Sequence, residues 1–391
     1  MTATSDLWKF LDPTEIHFGK GARQTLPEVV ASFGERPILV TDSGLVDLPI
    51  IDDLRGRLPE DTPVFAEVEP NPTVQMVDAL CGLIDEHDAD VLVAAGGGSS
   101  LDCAKAAGSV SQQGGPARKY HSEDGVLDGR HLPLIAIPTT AGTGSEVTPI
   151  SVLGDPEKGV KAPLVHDNFF PAVALVDPEL TLSMPPKVTA STGFDALAHA
   201  VEGYWSRNHN PISDALALEA VRLFYEYYPR VAADGSDADA REGMSLTALL
   251  GGMAFQAPKN AAVHACSFPF SATYHLPHGT ACALTLDHFM RYNAPAMGAL
   301  KVAAIPAAAP HPTRVLLFKV GALRTWAMVD PMEDPIWTMG PSLPTEPPEP
   351  MVIAEARIFM RATLGRIRPP RIATASMTSG TPCPLASLAP K

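Results

Sequence analysis

Cysteine is scarce in this 391-residue chain: five residues, Cys81, Cys103, Cys266, Cys282 and Cys383, with no CxxC pair among them. Such scatter speaks against a disulfide frame or a zinc knuckle, and the thiols read as buried groups in a reducing cytoplasm. No run reaches the roughly 18 uninterrupted apolar residues that a membrane helix needs. The opening residues, MTATSDLWKFLDPTEIHFG, lack a basic start followed by an apolar stretch, so no signal peptide is expected. Positive charge is short as well. Lys and Arg number 29 against 44 Asp and Glu, and the net charge of −15 offers no basic face to nucleic acid or an anionic membrane. What remains, 46% hydrophobic and 19% charged residues, is the composition of a globular protein long enough for two cores.

Four apolar runs stand out in the first half: 37–41 (PILVT), 90–95 (DVLVAA), 132–137 (LPLIAI) and 172–176 (AVALV). They recur about every 40 residues with helical material between, which predicts βαβ units and a parallel sheet covered on both faces. Beyond Pro186 the texture changes to Ala/Leu-rich stretches of helical period, such as 211–228 and 238–255. The expected architecture is an α/β dinucleotide-binding domain over 1–186 and an all-helical metal-binding domain over 187–300, with a cleft between them.

Residues 301–391 break that pattern. They hold 15 of the 39 prolines, with ten basic and six acidic residues, against an acidic remainder. Proline at this density interrupts helices. The segment is read either as a Pro-rich surface tail or as the product of a reading frame lost near residue 300.

Two glycine-bearing turns follow predicted strands. GGGSSLDCAK (96–105) leaves the DVLVAA strand and opens an Ala-rich helix. Its glycines permit close backbone approach, and free N–H groups at the helix start, aided by the helix dipole, make an anion site. It is neither GxGxxG nor a Walker loop. PTTAGTGSEVTP (138–149) follows the next strand, with hydroxyls and amides suited to a ribose or phosphate. Asp42, ending an earlier strand, is placed to accept ribose hydroxyls and to repel the 2′-phosphate of NADP, which favours NAD; a turn-forming Asp is the plainer alternative.

In GFDALAHAVEG (193–203), Asp195 and His199 stand four apart on a helical pattern, so both project from one face. The apolar residues around them imply burial, where an unpaired carboxylate is costly. Residues 261–281 add His264, in an apolar helical run, His275, and His278 in a Pro-His-Gly turn. One carboxylate and three imidazoles suit Fe²⁺ or Zn²⁺ better than Mg²⁺ or Ca²⁺, and spacing does not choose between the first two. His275 reads as a packing or outer residue.

These ordered motifs, with VDPEL at 176–180, resemble the iron-containing alcohol dehydrogenase family from about residue 8 to about 295. The resemblance implies a dehydroquinate synthase-like fold, hydride transfer between NAD(P)H and a small aldehyde or alcohol, and a homodimer. It implies metal ligation by Asp195, His199, His264 and His278, whose last two members keep a 14-residue spacing. It maps Gly97, Gly98, Ser99 and Asp102 to the cofactor turn, Thr139, Thr140 and Thr143 to the second turn, and Lys161 to the nicotinamide.

One departure bears on substrate. Many family members carry a second histidine four residues after the position of His264, and this chain has Phe268 there. An aromatic at that position, with 201–216 and 259–270, is similar to the subgroup reducing phosphonoacetaldehyde to 2-hydroxyethylphosphonate, which implies phosphonate metabolism and antibiotic biosynthesis. Arg207 and Lys259 are then candidates to hold the phosphonate, or else ordinary surface or cofactor-side charges. The rival readings are a general short-chain alcohol or lactaldehyde dehydrogenase, a dehydroquinate synthase-like lyase, and an inactive product of the altered C-terminus.

Overall fold

Strands β2 (Pro37–Asp42), β4 (Val91–Gly96), β5 (Leu134–Pro138) and β8 (Val173–Val176) coincide with the four apolar runs. All of β4 and β5 is buried, as expected of strands covered on both faces. The computed structural model describes residues 7–297 and Ile305; the expectations for 301–391 therefore lie, Ile305 apart, outside the described residues.

Two further strands, β1 (Glu15–Phe18) and β3 (Val64–Val68), close the edges of a six-stranded sheet of order β1-β8-β5-β4-β2-β3 with every pairing parallel. Edge strands bury less, so their sequences lack a continuous apolar run, and periodicity did not signal them. Helices α1 (Leu26–Phe33), α2 (Pro49–Arg55), α3 (Val74–Glu86), α4 (Gly98–Val110) and α5 (Ala117–His121) fill the crossovers. One apolar cluster joins α3 and α4 to one side of the sheet, through Val77, Leu80, Leu92 and Leu101. Another joins α1 and α2 to the other, through Leu26, Leu39, Leu54 and Val93.

From β2 the chain steps outward to β3, then returns to lay β4 on the opposite side of β2. Strand order reverses there, and the carboxyl ends of β2 and β4 open the crevice where parallel sheets bind ligands. Asp42 and the Gly96–Gly98 turn lie at that point. A second feature missed from sequence is the antiparallel hairpin of β6 (Ile150–Asp155) and β7 (Val160–Val165).

The described residues beyond Pro186 are mainly helical: α6 (Pro186–Trp205), α7 (Pro211–Ala233), α8 (Ala238–Gln256), α9 (Ala262–Tyr274) and α10 (His278–Met297). Asn210 caps α7 in a reciprocal box with Ser213. The VDPEL motif explains the entry to this region. Asp177 caps the short turn Pro178–Thr181 and pairs with Arg23, tying β8 to the segment after β1. Among the described residues no helix is long and apolar enough to cross a membrane.

Candidate metal and cofactor site

Helix α6 is buried along most of its length, and Asp195, His199 and Glu202 all face inward from it. Asp195 Oδ1 lies 3.5 Å from His264 Nε2 on α9 and 3.7 Å from His278 Nε2 at the start of α10. Asp195 Oδ1 and His264 Nε2 are both buried and have no hydrogen-bond partner. A buried carboxylate oxygen and ring nitrogen left so are costly unless a cation draws both together. The donor set, carboxylate and imidazole, fits a borderline divalent ion.

His199 stands beside this pair rather than between its atoms. Its ring stacks on Phe255 at 4.2 Å and on His264 at 4.4 Å, with Nδ1 3.4 Å from the Gly142 carbonyl. Burial pushes its pKa down to about 4, keeping the ring neutral and able to donate a lone pair. Asp195, although burial opposes its charge, is held well below the ordinary carboxylate range by His199, His278 and His264.

Two residues of the site were not singled out from sequence. Glu202, wholly buried and seven residues after Asp195 on α6, accepts from His264 Nδ1 at 2.6 Å and from the Val263 N–H at 2.8 Å. It orients the ring so that Nε2 faces Asp195, and the i+7 spacing within GFDALAHAVEG was the available signal. Cys282, one turn into α10 and buried, puts Sγ 3.9 Å from His278 Nε2. Ligand atoms of Asp195, His264, His278 and Cys282 all lie within 4.8 Å of one another. His275, by contrast, is exposed and ends α9 in the left-handed conformation at φ +53°.

The cofactor turns meet each other. A Cβ on Gly98 would come within 2.7 Å of Thr143, so the start of α4 rests directly on the second turn. Lys105, buried on α4, donates to Ser145 Oγ at 2.7 Å and to the carbonyls of Thr148 and Ile150 at 2.9 Å. Asp102 accepts from Ser145 Oγ and from the Val152 N–H. Its carboxylate is thus engaged in joining the two turns. Thr139 is buried, and Thr140 lies against Gly97. Asp42 sits beside Gly96 with Oδ2 3.5 Å from Ser100 Oγ, and burial raises its pKa.

A cavity of about 550 Å³ connects these parts. Gly98, Ser99, Asp102 and Thr143 line it together with Asp195, His199, His264 and His278, and with Lys161, Lys259 and Phe268. No side chain caps α4, so its first N–H groups are left for whatever occupies the cavity. Lys161, on β7, donates to Asn71 Oδ1 at 2.6 Å and lies 5.5 Å over the Phe268 ring. Lys259 adopts φ +66°, a costly conformation for a lysine. Asp42, Gly97, Thr139 and Thr140 do not line the cavity, and Arg207 is exposed beyond the end of α6. The structure thus brings Lys259, but not Arg207, to the site.

Two family models match the chain. Residues 13–178 match the model of the iron-containing alcohol dehydrogenases, and 189–309 match the C-terminal model of the Fe-containing alcohol dehydrogenase family. The choline dehydrogenase of Bacillus subtilis is 40% identical over 291 residues, 72% of this chain and 71% of the relative. Among solved structures, a sulfoacetaldehyde reductase from Bifidobacterium kashiwanohense in complex with NAD+ is 40% identical, with a TM-score of 0.73 over 80% of this chain and 87% of that one. A 1,3-propanediol oxidoreductase is 36% identical, with a TM-score of 0.75 over 79% and 81%. With both matched models spanning the sheet and the inward-facing Asp and His residues, the chain belongs to the iron-containing alcohol dehydrogenase family and is an oxidoreductase.

Proposed function

We propose that this protein reduces a small anionic aldehyde, phosphonoacetaldehyde first, with hydride from NADH and with Fe²⁺ or Zn²⁺ held by Asp195, His199, His264 and His278. The observation that carries this reading is the single cavity shared by the uncapped start of α4, the Asp–His cluster and the cations Lys161 and Lys259. When bound, the divalent ion supplies Lewis acidity toward a carbonyl oxygen and the nicotinamide supplies the hydride.

The chain's own residues do the rest. The N–H groups of Gly98 and Ser99 receive the cofactor pyrophosphate, and Gly97, Asp102, Thr139, Thr140 and Thr143 shape the turns around it. Asp42 takes ribose hydroxyls and repels a 2′-phosphate, favouring NAD over NADP. Lys161 stands on the nicotinamide side, and Lys259 places positive charge where a phosphonate would lie; the likeness to a sulfoacetaldehyde reductase, whose named substrate also carries a tetrahedral anion, supports this. Phe268 carries no exchangeable proton, so this position offers no side-chain relay for the proton that the product alcohol would need. We read the division at 186/187 as cofactor and metal domains, and the protein as a cytoplasmic homodimer.

Anaerobic NADH oxidation by metal-loaded protein tests the reading. The expected kcat/KM for phosphonoacetaldehyde and sulfoacetaldehyde exceeds that for propanal or lactaldehyde by about tenfold or more. Equal values favour a general short-chain alcohol dehydrogenase, a reading supported by the apolar walls Phe255, Val165 and Phe268. Absence of NADH oxidation with every aldehyde overturns the dehydrogenase assignment.

A further inference from the structure

Each of the three imidazoles proposed as metal ligands has an oxygen atom at its Nδ1. His264 Nδ1 lies 2.6 Å from the Glu202 carboxylate, and His199 Nδ1 lies 3.4 Å from the Gly142 carbonyl. His278 Nδ1 lies 3.3 Å from the hydroxyl of Ser267, a wholly buried residue on α9. A neutral imidazole carries one N–H, so an acceptor at Nδ1 leaves the Nε2 lone pair free for an ion.

An ionised carboxylate and a carbonyl only accept. A hydroxyl can donate or accept, so the role of Ser267 turns on where its own proton goes. Helix α9 decides this: Ser267 Oγ donates to the His264 carbonyl at 2.7 Å, a helical serine bonding back along its own chain. A hydroxyl has a single proton to give. With that proton committed, the oxygen offers only lone pairs to α10, and His278 Nδ1 must be the donor. His278 Nε2 is then left without a hydrogen, 3.7 Å from Asp195 Oδ1. An alanine at this position would pack within the helix, but it would let the ring keep its proton on either nitrogen.

We propose that Ser267 is the positioning residue of His278, holding the neutral ring in its Nδ1–H form with Nε2 open to the ion. The inference rests on the reading that Asp195, His199, His264 and His278 hold that ion. Ser267 makes no bond to the metal; it acts through the tautomer and the rotation of one ring. Its partner carbonyl belongs to His264, so the two histidines of α9 and α10 are linked through one hydroxyl.

The test uses full-length, metal-free protein labelled with ¹⁵N in histidine, at a pH where the His278 ring is neutral. Long-range proton–nitrogen NMR reads which nitrogen carries the proton, and the His278 signal is identified by its absence from His278→Ala. The wild type should show the Nδ1–H form. Ser267→Ala should populate the Nε2–H form at His278 while His264, still held by Glu202, is unchanged. Anaerobic Fe²⁺ affinity, measured by competition with a chelator, should fall about tenfold or more in the same variant. An Nε2–H ring in the wild type overturns the proposal, and this result stands even if Ser267→Ala does not fold. So does an unchanged tautomer in Ser267→Ala, with or without a fall in affinity, because the serine would then act by packing alone. Wild-type Fe²⁺ affinity in His278→Ala overturns the ligand reading beneath it, whatever the tautomer.

Discussion

His264 donates from Nδ1 to the Glu202 carboxylate at 2.6 Å, and that one bond turns the ring so that Nε2 faces Asp195. Glu202 also accepts the backbone N–H of Val263, so it fixes both the ring and the first turn of α9. Glu202→Gln should keep the fold but weaken metal binding by about 10–100-fold. Metal content after dialysis against a buffered chelator is the measurement, and full retention would show that the bond has no part in holding the ion.

Helix α10 approaches α6 as closely as a glycine allows. A Cβ on Gly279 would stand 1.8 Å from the Ser191 carbonyl oxygen and 3.0 Å from the Asp195 Cβ. Gly279→Ala must therefore push His278 away from Asp195. A loss of about 1–3 kcal/mol in stability is expected, together with reduced metal occupancy. Denaturant unfolding of the metal-free protein reads the first effect alone; an unchanged midpoint contradicts this packing.

Lys105 joins the two cofactor turns from inside. Replacing it with Met leaves the carbonyls of Thr148 and Ile150 and the Asp102 carboxylate without their buried cation, at a cost of about 2–4 kcal/mol. NAD affinity should fall along with stability, because Gly98 and Thr143 are held against each other by the same bridge. Calorimetric titration with NAD measures it, and wild-type affinity in a destabilised variant would separate the bridge from the cofactor site.

Burial raises Glu146 from 4.5 to about 7, although a backbone hydrogen bond and Lys105 pull the other way. Between those values the folded protein keeps a proton that the unfolded chain has released. The stability tied to this group is thus fully present below pH 4.5 and is lost as pH rises through about 7. Glu146→Gln should flatten the fall of Tm across that window, and an unchanged slope would assign the pH dependence to other groups.

Lys259 should act on substrate charge rather than on the chemical step. Lys259→Ala is expected to raise KM for phosphonoacetaldehyde about tenfold or more and to leave KM for propanal nearly unchanged. Arg207→Ala should change neither, since Arg207 is exposed and outside the cavity. Equal effects of Lys259→Ala on charged and neutral aldehydes would point to a cofactor-side or structural role.

The sequence by itself determined the central strands, because β2, β4, β5 and β8 are buried and read as apolar runs. It also determined the glycine turns after β4 and β5, and the Asp195 and His199 pair, since helical period puts residues four apart on one face. Edge strands β1 and β3 escaped because half-exposed strands carry no such run. What only the tertiary structure decided is the meeting of distant segments. Glu202 reaches His264 across 62 positions, and Lys105 reaches Thr148 and Ile150 across the mouth of the sheet. Cys282 joins Asp195 only because Gly279 lets α10 lie against α6. Periodicity reports which face of an element is buried; which buried faces come together is set by packing across the chain.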